Sequence, residues 1–304
     1  WRPATGDWRP EMPELPEIEA YLHALRPRVV GQRLERVRVQ SFSVLKTYDP
    51  PIDNLASVCV LGVGRLGKRI VFELDDGHSV VIHLMVAGRL KWLAPGAPMP
   101  KRSGLAAFDF ADGSLLLTEA GSKRRASIHV VDDEGLATLD PGGAEIDELT
   151  VEGFGERLMR ERHALKRTLT DPHLFSGIGG AFADEILWAA GLSPTQMSTN
   201  LDPDEVAHLH AAAAETLRRW TDIRIAEVGD GFPTKVTAFH PDMAVHGKHG
   251  EPCPECGAPV QRIVHVGRET NYCARCQTDG RILADRALSR LLKDDRPKHL
   301  DDTR

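Results

Sequence analysis

Apolar residues recur with two different periods along this chain, and the change of period divides it. In "PELPEIEAYLHALRP" Ile18, Leu22 and Leu25 fall at i, i+4 and i+7, the spacing of one helix face. Pro16 suits a first turn, and Glu14, Glu17 and Glu19 favour the N-terminal end of a helix predicted over 14–25. "RLERVRVQSF" and "RIVFELDDGHSVVIHLMVAGRLKWL" then alternate apolar and polar residues, with Asp76-Gly77 as a hairpin turn. "LAAFDFADGSLLLTEA" repeats the device with Asp112-Gly113 at the tip, and "RASIHVVDDEGLATL" reads as a strand and a connection. The first part of the chain is thus one helix followed by a strand-rich domain, a sandwich or flattened barrel.

After "DPGGAEIDEL" the period changes. "VEGFGERLMRERHALKRTLTD", "GAFADEILWAAGL" and "PDEVAHLHAAAAETLRRWTDIRIAEV" carry helical spacing. Residues 229–250 hold Gly, Pro and His with little periodicity and read as a long loop, and "RILADRALSRLLKDD" reads as a helical tail. The fold class expected is a multidomain α+β protein. Its parts are residues 1–12 as upstream or added sequence, 13–140 as helix plus β-sandwich, 150–250 as a helical domain with the loop, 251–277 as a cysteine hairpin and 278–304 as the tail.

Composition narrows the class. At 304 residues the chain is long enough for two or three cores, and its net charge of −6 gives no general attraction to polyanions. A basic groove on an acidic body is still compatible with phosphate contacts, which are local. No apolar run approaches the roughly 20 residues of a membrane span, so the chain is expected to be cytoplasmic, without a membrane partner.

Four of the five cysteines stand as "CPEC" (253–256) and "CARC" (273–276), with sixteen residues between the pairs. That spacing predicts one tetrahedral zinc ion held by Cys253, Cys256, Cys273 and Cys276. Four thiolates leave no open position, so the ion is structural. A hairpin module with so little apolar core needs the metal to fold. "GIGGAFADE" (177–185) is a glycine-dense turn ahead of a helix, where backbone N–H groups hold a phosphate or where two helices pack tightly. Pro13-Glu14 carries chemistry if Met12 is an initiator that is removed. The free secondary amine of Pro13 would then attack an aldehyde and form an iminium, a permanent electron sink. Glu14 would protonate the departing sugar oxygen, and Glu17 would supply field or proton transfer. In the plainer reading Pro13 is a turn residue and the glutamates solvate a helix.

In combination, "MPELPEIE", "GIGGAFADE" and "CPEC…CARC" resemble the formamidopyrimidine-DNA glycosylase and endonuclease VIII family, in that order and at those separations. Leu15 brings the chain closer to the formamidopyrimidine branch. "HLMVAGRL" and "GRLGKRIVFEL" resemble two further strands of the family, and "GRETNYCARCQ" its zinc hairpin. The resemblance implies a bifunctional DNA glycosylase/AP lyase of base excision repair, monomeric and bound to damaged double-stranded DNA of the bacterial nucleoid. It implies an N-terminal sandwich, a helix-two-turn-helix domain and a zinc β-hairpin. Pro13 would be the Schiff-base nucleophile, Glu14 the acid/base, and Lys68 a phosphate contact near the lesion. Arg268 would reach phosphate from the hairpin, Arg124 or Arg125 would enter the duplex, and Gly180 would stand at the lesion phosphate. The target nucleotide would leave the stack to reach the amine. The chain departs from the family pattern in having Gly180 for asparagine, Val86 for the wedge methionine, and no phenylalanine after Arg125. A non-catalytic DNA-damage-binding protein of the same fold is the alternative.

Overall fold

Helix α1 (Leu15–Val29) forms where the i, i+4 spacing places it, and it buries Ile18, Tyr21, Leu22, Leu25 and Val29 on one face. It runs past Pro27 because Val29, fully buried, holds the last turn in the core. The computed structural model describes residues 12–121, 123–234, 236–265, 268–283 and 298–303. They divide into two compact units, one of residues 12–141 with 220–238, the other of 142–219 with 239–303.

In the first unit eight strands follow α1. They are β1 (Arg36–Val39), β2 (Val60–Leu66), β3 (Arg69–Leu74), β4 (Ser79–His83), β5 (Gly88–Leu93), β6 (Gly104–Phe110), β7 (Gly113–Glu119) and β8 (Ser127–Val131). They pair antiparallel in two four-stranded sheets, β1-β6-β7-β5 and β2-β3-β4-β8. Alternation turns Ile70, Phe72, Val80, Ile82, Ile128 and Val130 of one sheet into a common core with Phe108, Leu115 and Leu117 of the other. Phe72 and Phe108 stack across it with ring centroids 6.4 Å apart. The sandwich expected from the alternation is present.

Two turns show why glycines sit where they do. Leu66 pairs with Arg69, leaving Gly67-Lys68 as a two-residue turn with Gly67 at φ +59°, a conformation a primed hairpin turn needs at its first position. At the β6–β7 tip the turn is Ala111-Asp112, one residue earlier than expected, because Phe110 pairs with Gly113. Gly113 serves packing instead, since a Cβ there would run into the Trp92 ring. What was expected to be a plain connection after β8 is helix α2 (Asp133–Leu139), capped by Asp132.

The second unit contains α3 (Val151–Leu158), α4 (Leu165–Leu169), α5 (Gly180–Ala189) and the first part of α6 (Pro203–Val228). "VEGFGERLMRERHALKRTLTD" is two helices, because Leu165 N–H is claimed by Gln196 O at 2.8 Å and Ala164 bridges Met197. The last turns of α6 belong to the first unit, where Val236 joins the core and Phe232 meets Tyr21. The zinc hairpin is β9 (Gln261–His265) and β10 (Arg268–Tyr272), followed by α7 (Ala274–Thr278). Of the tail, Arg281 bridges His299, and Leu300, in a 3-10 turn, packs into the hairpin's core. The helical spacing of 284–297 lies outside the described residues. Among the described residues no helix is long and apolar enough to cross a membrane.

Candidate active site and metal centre

Pro13 and Glu14 precede the first turn of α1, and both are buried. The amide joining them donates from Glu14 N to Glu17 Oε2 at 3.0 Å. Glu17, only 1% exposed, accepts on its other oxygen from Arg224 Nε at 3.0 Å. Arg224 is itself held by Thr237 O at 2.9 Å. Burial pushes the Glu17 carboxyl up to about 7 against the pull of Arg224. A hydrogen-bonded carboxyl titrating there is neutral or charged at working pH with little cost, as a proton relay needs.

Lys68, in the β2–β3 turn, is brought to Glu14: burial lowers its pKa and the Glu14 charge opposes that shift. His83 ends β4 opposite Arg69. Burial pushes it down to about 4, with Arg69, Lys68 and His129 adding to the shift. Lys68 thus sets positive charge beside Glu14, with Arg69 next to it in the chain, while His83 stands by as a neutral imidazole. The turn after β4 holds Met85 at φ +53°, where side chains are uncommon, and leaves Val86 41% exposed.

The remaining expected residues have different settings. Arg124 and Arg125 are exposed on a loop closed by Glu119, whose buried carboxylate accepts from Arg125 N at 2.9 Å and Ala126 N at 3.0 Å. Gly180 opens α5, exposed and with nothing within 4 Å of where a Cβ would stand. Arg268 opens β10, but its side chain lies outside the described residues.

The four cysteine sulfurs lie within 4.8 Å of one another, a fit for one tetrahedral ion. Trp188 of α5 donates Nε1–H to Cys253 Sγ at 3.4 Å, tying the helical part of this unit to the metal centre. Asp184 does the same with its fully buried carboxylate, which accepts from Lys166 Nζ at 2.6 Å and Asn271 N at 3.1 Å and meets His246 Nδ1 at 2.9 Å.

Comparison with known proteins gives the same order of parts. Residues 12–126 match the formamidopyrimidine-DNA glycosylase N-terminal domain, and 140–226 its H2TH domain. Residues 250–278 match the zinc finger found in this glycosylase and in isoleucyl-tRNA synthetase. Formamidopyrimidine-DNA glycosylase of Symbiobacterium thermophilum is 31% identical over 88% of this chain and 89% of the relative. The chain belongs to the formamidopyrimidine-DNA glycosylase family. The Roseiflexus member is also 31% identical, over 88% of this chain and all of that one. The Lactococcus lactis enzyme, solved on DNA containing an abasic site, superposes with a TM-score of 0.77 at 25% identity, covering 87% of this chain and 99% of that chain. The same enzyme with DNA containing N7-benzyl-Fapy-dG gives 0.77 and 26%, covering 88% of this chain and all of that chain. The family zinc finger and the cysteine cluster together assign one structural zinc ion to this chain.

Sequence reasoning passed over Arg224, His83, Glu119 and Trp188. His83 had a signal, standing in the quoted "HLMVAGRL". Arg224 and Trp188 look like ordinary helix residues until the fold supplies their partners.

Proposed function

We propose that this chain is a bifunctional DNA glycosylase/AP lyase of base excision repair, acting as a monomer on damaged double-stranded DNA of the bacterial nucleoid. The observation that carries the reading is the buried Pro13–Glu14 pair at the head of α1, with Lys68 coupled to Glu14. Pro13 is nucleophilic only in a form of the chain that begins there, because behind Met12 its nitrogen is an amide.

In that form the amine attacks C1′ of the flipped nucleotide, the C1′–base bond breaks, and Glu14 gives a proton to the ring oxygen as the sugar opens. The resulting iminium withdraws electrons from C1′. Loss of a C2′ proton then expels the 3′ phosphate, and water releases the amine. Glu17 holds the Glu14 peptide N–H and shares the proton traffic. Lys68 and His83 face the lesion phosphate. Arg124 or Arg125 enters the duplex, the backbone at Gly180 stands at the lesion phosphate, the side chain of Arg268 takes a further phosphate, and 13–140 supplies the catalytic groups. Residues 150–250 and the hairpin 251–277 grip the strand, and Leu300 packs into the hairpin's core.

Borohydride reduction on an abasic duplex tests this. A chain beginning at Pro13 is expected to be trapped covalently on the strand, and a chain retaining residues 1–12 is not. No adduct with the free amine would leave a zinc-braced binder of damaged DNA.

A further inference from the structure

A strip of half-buried basic side chains, charged at Lys68 and Arg69 with the imidazoles of His83 and His129 between them and Lys46, leaves the head of α1 along the face of the β2-β3-β4-β8 sheet opposite Ile70, Ile82 and Ile128. Register puts Arg69 across from His83 and His83 across from Ser127, with His129 across from Val81 on the next row of that face. Electrostatic neighbours run on in sequence along it: Lys68 with His83, His83 with Arg69 and His129, and His129 with Arg69 and Lys46. Asp140 is the acidic group that offsets Arg69.

The strip ends at residues 42–48, which lie alongside β8. Leu45 bridges Ile128 in parallel, Lys46 N donates to Ile128 O at 2.9 Å, and Val130 N donates to Thr47 Oγ1 at 2.7 Å. Val44 and Leu45 are buried and pin the segment, so its outward residues are held in place. Those include, besides Ser43, Lys46 with Phe42 and Tyr48 on either side of it in the chain, and both aromatic residues are 71% exposed. Among the described residues neither ring packs against another aromatic, so this exposure gains nothing for the fold.

Two open rings flanking the Lys46 cation, continuous with a strip that carries Arg69 and Lys68, match one ligand chemistry. Unpaired bases stack on aromatic faces while the backbone follows positive charge. A duplex keeps its bases stacked on each other and has no use for the rings. A protein partner would leave the strip unexplained. We infer that Phe42, Lys46 and Tyr48 bind single-stranded DNA continuous with the substrate strand, so that the preferred substrate carries an unpaired flank. The identity of the strand rests on the function proposed above; the binding surface does not.

The test uses the chain beginning at Pro13 and fluorescence anisotropy on labelled oligo-dT of fifteen nucleotides, a blunt abasic duplex, and the same duplex with a fifteen-nucleotide tail. The chain should bind the tailed duplex at least tenfold tighter than the blunt one. Phe42→Ala should weaken oligo-dT binding roughly tenfold, and with Tyr48→Ala roughly a hundredfold. Incision of the blunt duplex should stay as in the parent. Both rings are exposed, so these variants keep the fold. Lys46→Glu should weaken oligo-dT binding further as salt falls. Parental oligo-dT binding by the double variant overturns the inference, as does equal affinity for tailed and blunt duplexes. If oligo-dT binding falls as expected but no variant or parent incises, the catalytic reading fails and the surface stands.

Discussion

Arg224 Nε meets Glu17 Oε1 at 3.0 Å, joining two buried side chains 207 residues apart in the chain. The contact keys the end of α6 to the peptide that follows Pro13, because the second Glu17 oxygen holds Glu14 N–H. Removing one partner of such a pair strands a buried charge. Arg224→Met is expected to cost about 3–5 kcal/mol in urea unfolding. Adding Glu17→Gln should recover part of the loss, and a double-mutant cycle measures the coupling.

Glu17 and His83 make opposite contributions to stability in the same pH window. The folded Glu17 carboxyl titrates at about 7, above its ordinary 4.5, so the folded state binds more protons and stability from this group falls as pH rises from 4.5 to 7. Folded His83 titrates at about 4, below its ordinary 6.5, so the unfolded state binds more protons and stability falls as pH drops from 6.5 to 4. Between about pH 4.5 and 6.5 the two slopes oppose each other. In urea titrations across that range, Glu17→Gln should expose a steeper loss toward acid, and His83→Asn a steeper loss toward neutral pH. Unchanged slopes in both variants would mean that neither group titrates as described.

Trp188 binds the metal centre through a single N–H to Cys253 Sγ. Trp188→Phe keeps an aromatic side chain and removes the donor, so zinc affinity should fall by about 10–100-fold. Competition with a colorimetric chelator measures it. Full removal of the ion should unfold the hairpin, seen as loss of amide protection across β9 and β10.

Lys68 is expected to meet a phosphate. Lys68→Ala should lower affinity for an abasic duplex across sequences and flatten the plot of log K against log salt by about 0.9. A salt slope equal to that of the parent would assign Lys68 to Glu14 alone.

Gly113→Ala tests packing rather than backbone freedom. The added Cβ would enter the Trp92 ring, and overpacking of this kind costs about 1–3 kcal/mol. Thermal unfolding reads the change.

What a reader of the residues alone recovers here is local chemistry and period. The i, i+4 row of α1, the alternating strands and the cysteine spacing each act within a few tens of residues, so they are visible in the string. The four cysteines were found that way, whereas Pro13 and Glu14 drew notice through the resemblance of "MPELPEIE" to a family. The split of α3 from α4 was not found, because a hydrogen bond from Leu165 N–H to the distant Gln196 carbonyl ends a pattern that local propensity would continue. The Ala111-Asp112 tip was missed for a similar reason: a ring on β5 needs the space at Gly113.

The electrostatic setting of the site belongs to the fold. Nothing near Glu17 in the chain announces Arg224, and nothing near Cys253 announces Trp188. Burial and long-range contact move the Glu17 and His83 protonation equilibria, and both effects exist only once distant segments pack. Residue type and spacing therefore specify which reactions and which metal the chain is equipped for. Close packing of segments far apart in the chain sets the charge states and positions in which those groups act.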